Sequence, residues 1–203
     1  PEGIFAGEHA NGLDVGLKNW LERAWNLFAP VSNVGEQLLR VARTWGAYDP
    51  VAEYLGALEW DGTPRVDTWL ETYCNAETSS GDSDVTTYVR RVGAIFLIAA
   101  IARALKPGSK VDTVLVLEGL QGAKKSTALD VLGGAWFSDT PLVLGDKDSR
   151  MLATSKWIVE LAELSSLRSS GDVEQHKAFL SARKDNFRPP YGRRSADFLR
   201  QVV

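Results

Sequence analysis

Residues 115–132 read LVLEGLQGAKKSTALDVL, a run that carries all but one residue of a phosphate-binding loop of the form G-x-x-x-x-G-K-[ST]. Gly119 opens the loop, Gly122 permits its turn, and Lys125 and Ser126 close it; Ala123 and Lys124 stand before that lysine, and Lys124 takes the place of the pattern's second glycine. Such a loop works because it follows a strand and opens a helix, so that free backbone N–H groups and the positive helix end face an anion. Both contexts are predicted here. Thr113 to Leu117, TVLVL, has the β-branched and leucine content of a buried parallel strand, and the segment that begins with Ser126 and Thr127 has helix-forming character, with Gly133 and Gly134 as a stop. Lys125 would then reach the β and γ phosphates of a nucleotide, and the Ser126 hydroxyl would ligate Mg²⁺. Glycine at the place of Lys124 removes a Cβ near a crowded backbone position. If the backbone there stays in a region open to L-residues, the Lys124 side chain points outward and adds a second positive charge near the phosphates. The rival reading is a structural glycine turn.

A phosphate loop of this kind also needs a neighbouring parallel strand that delivers a carboxylate beside the metal, and a nearby acid for the attacking water. KWIVELAEL, residues 156–164, supplies both. Lys156 to Leu161 reads as a second strand, and Glu160 and Glu163 fall near its C-terminal edge, where open α/β sites lie. Glu160 is assigned to Mg²⁺ and Glu163 to the water, with their order open; the alternative is a surface acid pair. Leu199 to Val203, LRQVV, looks like the beginning of a third strand. Strand, glycine loop, helix, strand, helix is the alternation of an α/β fold with a parallel sheet and helices on both faces. The domain is expected to be incomplete where it stops within that strand.

Before the loop the chain reads as helices, so a helical region is placed at 1–107 and the α/β region at 108–203. Apolar residues recur at helical spacing from Leu13 to Phe28 and again from Val34 to Trp45, and Pro50 suits the start of a short helix. WDGTPRVDTWL, 60–70, reads as a turn followed by a helix, its Trp60 and Trp69 expected as core anchors. A long helix through Leu105 ends at Pro107 and Gly108; its apolar run from Ala94 to Ala102 is shorter than a bilayer crossing and is expected to be buried. With no signal peptide in view, the chain reads as cytoplasmic. The single Cys74 excludes an internal disulfide and, with only His9 and His176, leaves no zinc cluster of usual spacing. Cys74 is expected as a buried thiol and His176 as an exposed helical residue. The acids of GDKD, Asp146 and Asp148, fit either the rim of a site or a plain turn. The net charge of −3 argues against a protein that coats nucleic acid all over. Residues 183–200 nevertheless hold six basic side chains against two acidic ones.

Taken together, YLGALEWDGTPRVDTWL, VLVLEGLQGAKKSTALDVLGG, WFSDTPL, GDKD, KWIVELAEL, KAFLSARKDNFRPPYGRR and the arginine of RQVV make the chain, from about Asp49 onward, resemble the virulence-associated protein E family. These are phage- and plasmid-type P-loop ATPases of AAA+ type, akin to superfamily-three helicases. The resemblance implies that Lys124 is a tolerated variant and that ATP and Mg²⁺ are the cofactors. It further implies a homo-oligomeric ring that acts on single-stranded DNA during replication of a mobile element, often beside a primase domain. In such relatives a β-hairpin between the acidic strand and the next strand faces DNA; here that segment is DNFRPPYGRR, 185–194. Arg188, Arg193 and Arg194 are suited to neutralising phosphates there, and Phe187 and Tyr191 offer stacking faces for unpaired bases. By the same analogy Arg200 is a candidate for a trans-acting arginine, and the relatives' sensor asparagine would fall after Val203. The rivals to a nucleic-acid motor are a nucleotide or small-molecule kinase, which also uses a phosphate loop, and a regulatory module that holds ATP without turnover.

Overall fold

The computed structural model describes residues 13–34, 37, 40, 41, 49–78, 83–142, 146–161, 170–189 and 194–203. They fall into two compact units, Pro1–Asp49 and Pro50–Val203. The first contains helix α1, Leu13–Trp25. It stops short of the predicted Phe28 because Asn26 turns into the left-handed region at φ 52°, which asparagine tolerates better than most residues. The second predicted helix, 34–45, lies mostly outside the described residues.

The second unit mixes helices with a small parallel sheet, as an α/β fold requires. Helices α2 (Pro50–Gly56), α3 (Trp69–Cys74) and α4 (Ser83–Leu105) precede the loop. After it come α5 (Lys125–Gly133), β1 (Phe137–Ser138), α6 (Lys147–Ser155), β2 (Ile158–Val159), α7 (Ser170–Ser181), β3 (Lys184–Phe187) and β4 (Ala196–Leu199). The change from helices to strands near residue 107 thus falls inside one compact unit.

Helix α4 is the spine of this unit. Ala100 and Ala104 pack against Trp157 and Ile158, and Phe96, Leu129, Leu132, Phe137 and Val203 close around them. Gly93 lets α3 approach: a Cβ there would stand 2.8 Å from Trp69 Nε1. Trp69 is buried and stacks on Phe96, as its role of core anchor demands. Trp60 does not. It is 78% exposed, its indole N–H donating to the Thr63 carbonyl within its own turn. The Asp61 carboxylate fixes that turn by accepting from the Thr63 N–H and from both terminal nitrogens of Arg65. Helix α4 also departs from expectation, since Ile95, Ile98, Ile101 and Leu105 are exposed although its other side carries the core. By length and composition it meets the criterion for a membrane span, the one such helix among the described residues. Cys74 is partly buried, and desolvation pushes its thiol above the ordinary value.

Strands β1 and β2 pair in parallel, Phe137 opposite Ile158 and Ser138 opposite Val159. On the other edge of β2, Val203 donates to the Trp157 carbonyl and accepts from the Val159 N–H, the bond pattern of a parallel bridge at Ile158. The predicted second and third strands therefore lie side by side, with β2 between two neighbours. The predicted first strand does not form. Residues 113–117 join no ladder among the described residues, and Val114 and Val116 are 49% and 54% exposed. A continuous apolar run expresses a demand for burial on two faces, and among the described residues no strand flanks these to meet it.

Strands β3 and β4 form an antiparallel hairpin, with Lys184 opposite Leu199 and Phe187 opposite Ala196. Between β4 and the parallel edge the chain passes through Arg200, which is 1% exposed. Its guanidinium donates to both carboxylate oxygens of Asp185 and to the Phe179 carbonyl, and lies over the Phe179 ring.

Candidate functional site

The loop that ends in Lys125 delivers the start of α5 to the C-terminal end of β2. Gly122 takes φ 82° and Lys124 takes φ 57°, ψ 29°, so the position where the motif carries glycine is left-handed here too. The condition for an unstrained Lys124 is therefore not met. The lysine adopts the backbone that glycine would adopt, at a cost of about 1 kcal/mol or more. Its side chain is exposed and makes no capping bond to α5.

Lys125 curls back over the loop, and its ammonium donates to the carbonyls of Gly119 and Leu120 at 2.9 and 3.1 Å. Ser126 faces the acidic strand. Its hydroxyl donates to Glu160 Oε1 at 2.8 Å, across 34 residues of sequence. The second carboxylate oxygen, Glu160 Oε2, is buried and has no hydrogen-bond partner. A buried acceptor in that state costs free energy unless a cation or donor joins it. Leu120 at the loop tip is 86% exposed, and Ala123 and Thr127 are exposed as well, so the loop is open to solvent.

Two contacts that sequence reading does not supply hold Glu160 where it is. Its N–H donates to the Ser138 carbonyl of β1 at 2.9 Å. Two residues before β2's end, the Trp157 indole donates to the Ala100 carbonyl at 2.9 Å and fastens the strand to α4. The pattern of apolar residues in 156–161 hints at a buried strand, but nothing in it specifies these partners.

The predicted pairing of Ser126 with Glu160 is thus brought together, and Lys125 lies on the loop it was assigned to. Glu163 lies outside the described residues. A serine hydroxyl and a carboxylate are hard oxygen donors of the type Mg²⁺ prefers, and Mg²⁺ completes its shell with water and phosphate oxygens more often than with an all-protein cage. No group of three or more His, Cys, Asp or Glu side chains that could hold a metal occurs among the described residues. The orphaned Glu160 oxygen beside Ser126 fits such a partly furnished site.

Asp146, one of the two GDKD acids, turns out to cap α6. Its carboxylate accepts from the Ser149 N–H at 3.0 Å, and that bond holds its acid form below the ordinary value.

The basic segment divides. Arg183 donates to the Gly108 carbonyl, Lys184 pairs with Asp197, and Arg200 is locked to Asp185. The trans-acting role considered for Arg200 is corrected by this burial: a guanidinium with a buried carboxylate partner has no face to offer a neighbour. Phe187 is corrected likewise. It is 7% exposed and stacked on Phe198 at 4.3 Å between ring centroids, so the face expected for a base is taken. Arg188 and Arg194 are exposed at the far end of the hairpin, and Tyr191 and Arg193 lie outside the described residues.

No curated protein matches the chain. The family model for the virulence-associated protein E-like domain matches residues 55–203, a span that holds the loop, the acidic strand and the hairpin, and the chain belongs to that family.

Proposed function

We propose that the chain binds ATP with Mg²⁺ at the loop 119–127 and Glu160, and that as a member of a ring-forming ATPase it couples turnover to movement along single-stranded nucleic acid. The observation that carries the nucleotide reading is the 2.8 Å bond between Ser126 and Glu160, with the second Glu160 oxygen buried and unpartnered beside it. A hydroxyl and a carboxylate that meet across two elements, at the N-terminus of a helix preceded by a glycine turn, make a place for a cation and a phosphate together.

In this reading the Lys125 ammonium exchanges the Gly119 and Leu120 carbonyls for phosphate oxygens, and the first N–H groups of α5 hold the phosphates in line. Ser126 and Glu160 hold the metal, which when bound neutralises charge that builds on the phosphates. Glu163 is assigned to the attacking water. The exposed Arg188 and Arg194 neutralise backbone phosphates of the nucleic acid, while Phe187 stiffens the hairpin from within. The cytoplasm, a ring of like copies and a primase domain or protein beside it are the setting that goes with this reading.

Calorimetric binding of a slowly hydrolysed ATP analogue, with and without Mg²⁺, tests the core of the proposal. Binding should need Mg²⁺ and should weaken about a hundredfold in Lys125→Ala, the scale of losing charged hydrogen bonds to two phosphates. Wild-type affinity in that variant would sink the site. DNA-stimulated phosphate release that disappears in Lys125→Ala tests the motor; its absence alongside tight binding would favour the regulatory module.

A further inference from the structure

We propose that the solvent face of helix α4 is a docking groove for an amphipathic helix of another protein, apolar along the contact and carrying a carboxylate at each end of it. The inference stands apart from the nucleotide reading.

Tyr88, Ile95, Ile98 and Leu105 are exposed and recur at helical spacing, so they form one stripe down α4, with Ile101 on its shoulder. From Tyr88 to Leu105 the stripe runs about 26 Å. It lies opposite the face that packs on Trp157 and Ile158 through Ala100 and Ala104. Contiguous apolar surface of that extent marks a contact site in a folded domain. Near the start of the stripe is a cavity of about 360 Å³ lined by Asp67, Thr87, Arg90, Arg91, Ala94 and Ile95, a hollow fit for one anchoring side chain.

The charges on this face select the occupant. Arg90 is held by both oxygens of Glu71, and Asp67 acts on the same guanidinium. Asp84, in the first turn, is engaged within the fold. Arg91 stands on the stripe between Tyr88 and Ile95, and Lys106 follows Leu105; both are exposed, with no side-chain partner among the described residues. They are about 22 Å apart along the helix. A second copy of the chain does not suit them. Two such helices packed antiparallel about Ile98 set Arg91 against Lys106, and packed parallel they set each cation against its twin. An anionic lipid surface suits the chain no better, because the net charge of −3 is repelled by it and a bilayer leaves the hollow unfilled. A helix with an apolar stripe and a carboxylate at each end answers the stripe, the hollow and both cations together.

The test titrates the full chain into a labelled synthetic helix of about 20 residues, with leucine along one stripe and glutamates about 22 Å apart at its ends. A twin helix carries lysine in place of the glutamates. Saturable binding of the glutamate helix at about 10 μM is expected. It should weaken about tenfold in Arg91→Glu and about a hundredfold in Ile98→Glu, while the lysine helix should prefer Arg91→Glu to the wild type. Both substitutions fall at exposed positions, so both variants should melt with the wild type, and a fall in affinity then belongs to the surface. Equal binding of the two helices by the wild type, or none, overturns the inference. So does self-association of the wild type that Ile98→Glu abolishes, which gives the face to a second copy. Binding to phosphatidylglycerol vesicles that exceeds binding to the glutamate helix and is lost in Ile98→Glu overturns it as well, in favour of a lipid surface.

Discussion

Glu160 and Arg200 are both charged residues, one just past the end of β2 and the other three residues before Val203, which pairs with β2, and their surroundings treat them oppositely. Arg200 has every demand met: two carboxylate oxygens, a carbonyl and an aromatic face, with almost no exposed surface. Glu160 has one oxygen bonded to Ser126 and the other buried with nothing. A saturated ion pair is scaffold, because any ligand would have to break it first. A half-satisfied carboxylate beside an exposed glycine loop costs stability, and in the proposed function a bound cation would offset that cost.

Arg200→Met should break that contrast most severely. It leaves Asp185 buried and uncompensated, and chemical denaturation should register a loss of about 3–5 kcal/mol. Adding Asp185→Leu should restore most of it, since the loss belongs to the abandoned charge and not to the pair itself. Recovery of stability without recovery of ATP turnover would return Arg200 to the site.

Glu160→Gln should do the reverse. Stability of the empty protein should change by no more than about 1 kcal/mol, or rise, because the buried orphan oxygen is replaced by an uncharged amide. The Mg²⁺ dependence of nucleotide binding should disappear in the same calorimetric titration. A large destabilisation with Mg²⁺ response retained would make Glu160 the scaffold residue.

The smallest effect concerns acid. The Arg65 guanidinium, above all, holds Asp61 well below the usual carboxylate range, and the Asn186 amide and Lys184 do the same for Asp197. A group with a depressed folded value contributes stability that is complete above its ordinary value of 3.8 and is lost as pH falls through the lowered one. Melting temperature should therefore be insensitive to these two groups from pH 5 to 7 and should decline below about pH 4. Asp61→Asn should flatten part of that decline; an unchanged acid slope would mean the exposed turn contributes nothing.

The two charged residues also show what was legible beforehand. Ser126 and Glu160 could be paired from sequence because a phosphate loop and an acidic strand end imply each other chemically, whatever lies between them. Arg200 and Arg194 could not be told apart, since a run of basic residues states charge and says nothing of which guanidinium has a buried carboxylate opposite. Phe187 differs from expectation for a related reason: nothing in the sequence marks Phe198, on the neighbouring strand, as the ring stacked on it. TVLVL has the composition of a strand and forms none, because pairing belongs to two segments and composition describes only one of them. Trp60 was expected inside because tryptophan usually is, and the Asp61–Arg65 turn that holds it out depends on hydrogen bonds that no periodicity reports.

Arg103 gives the fold a sequence in time. Its guanidinium donates to the carbonyls of Val202 and Ala182, 99 and 79 residues further along the chain. Its Nε has a nearby acceptor in the Ser109 carbonyl, but the other two acceptors arrive only after two very long loops have closed. The bond to Val202 ties the edge residues to α4, next to the Val203 bonds that hold them to β2. A chain caught before those loops close would present a finished helix with most of that charge unanswered, and Glu160 would follow a strand that lacks its outer neighbour.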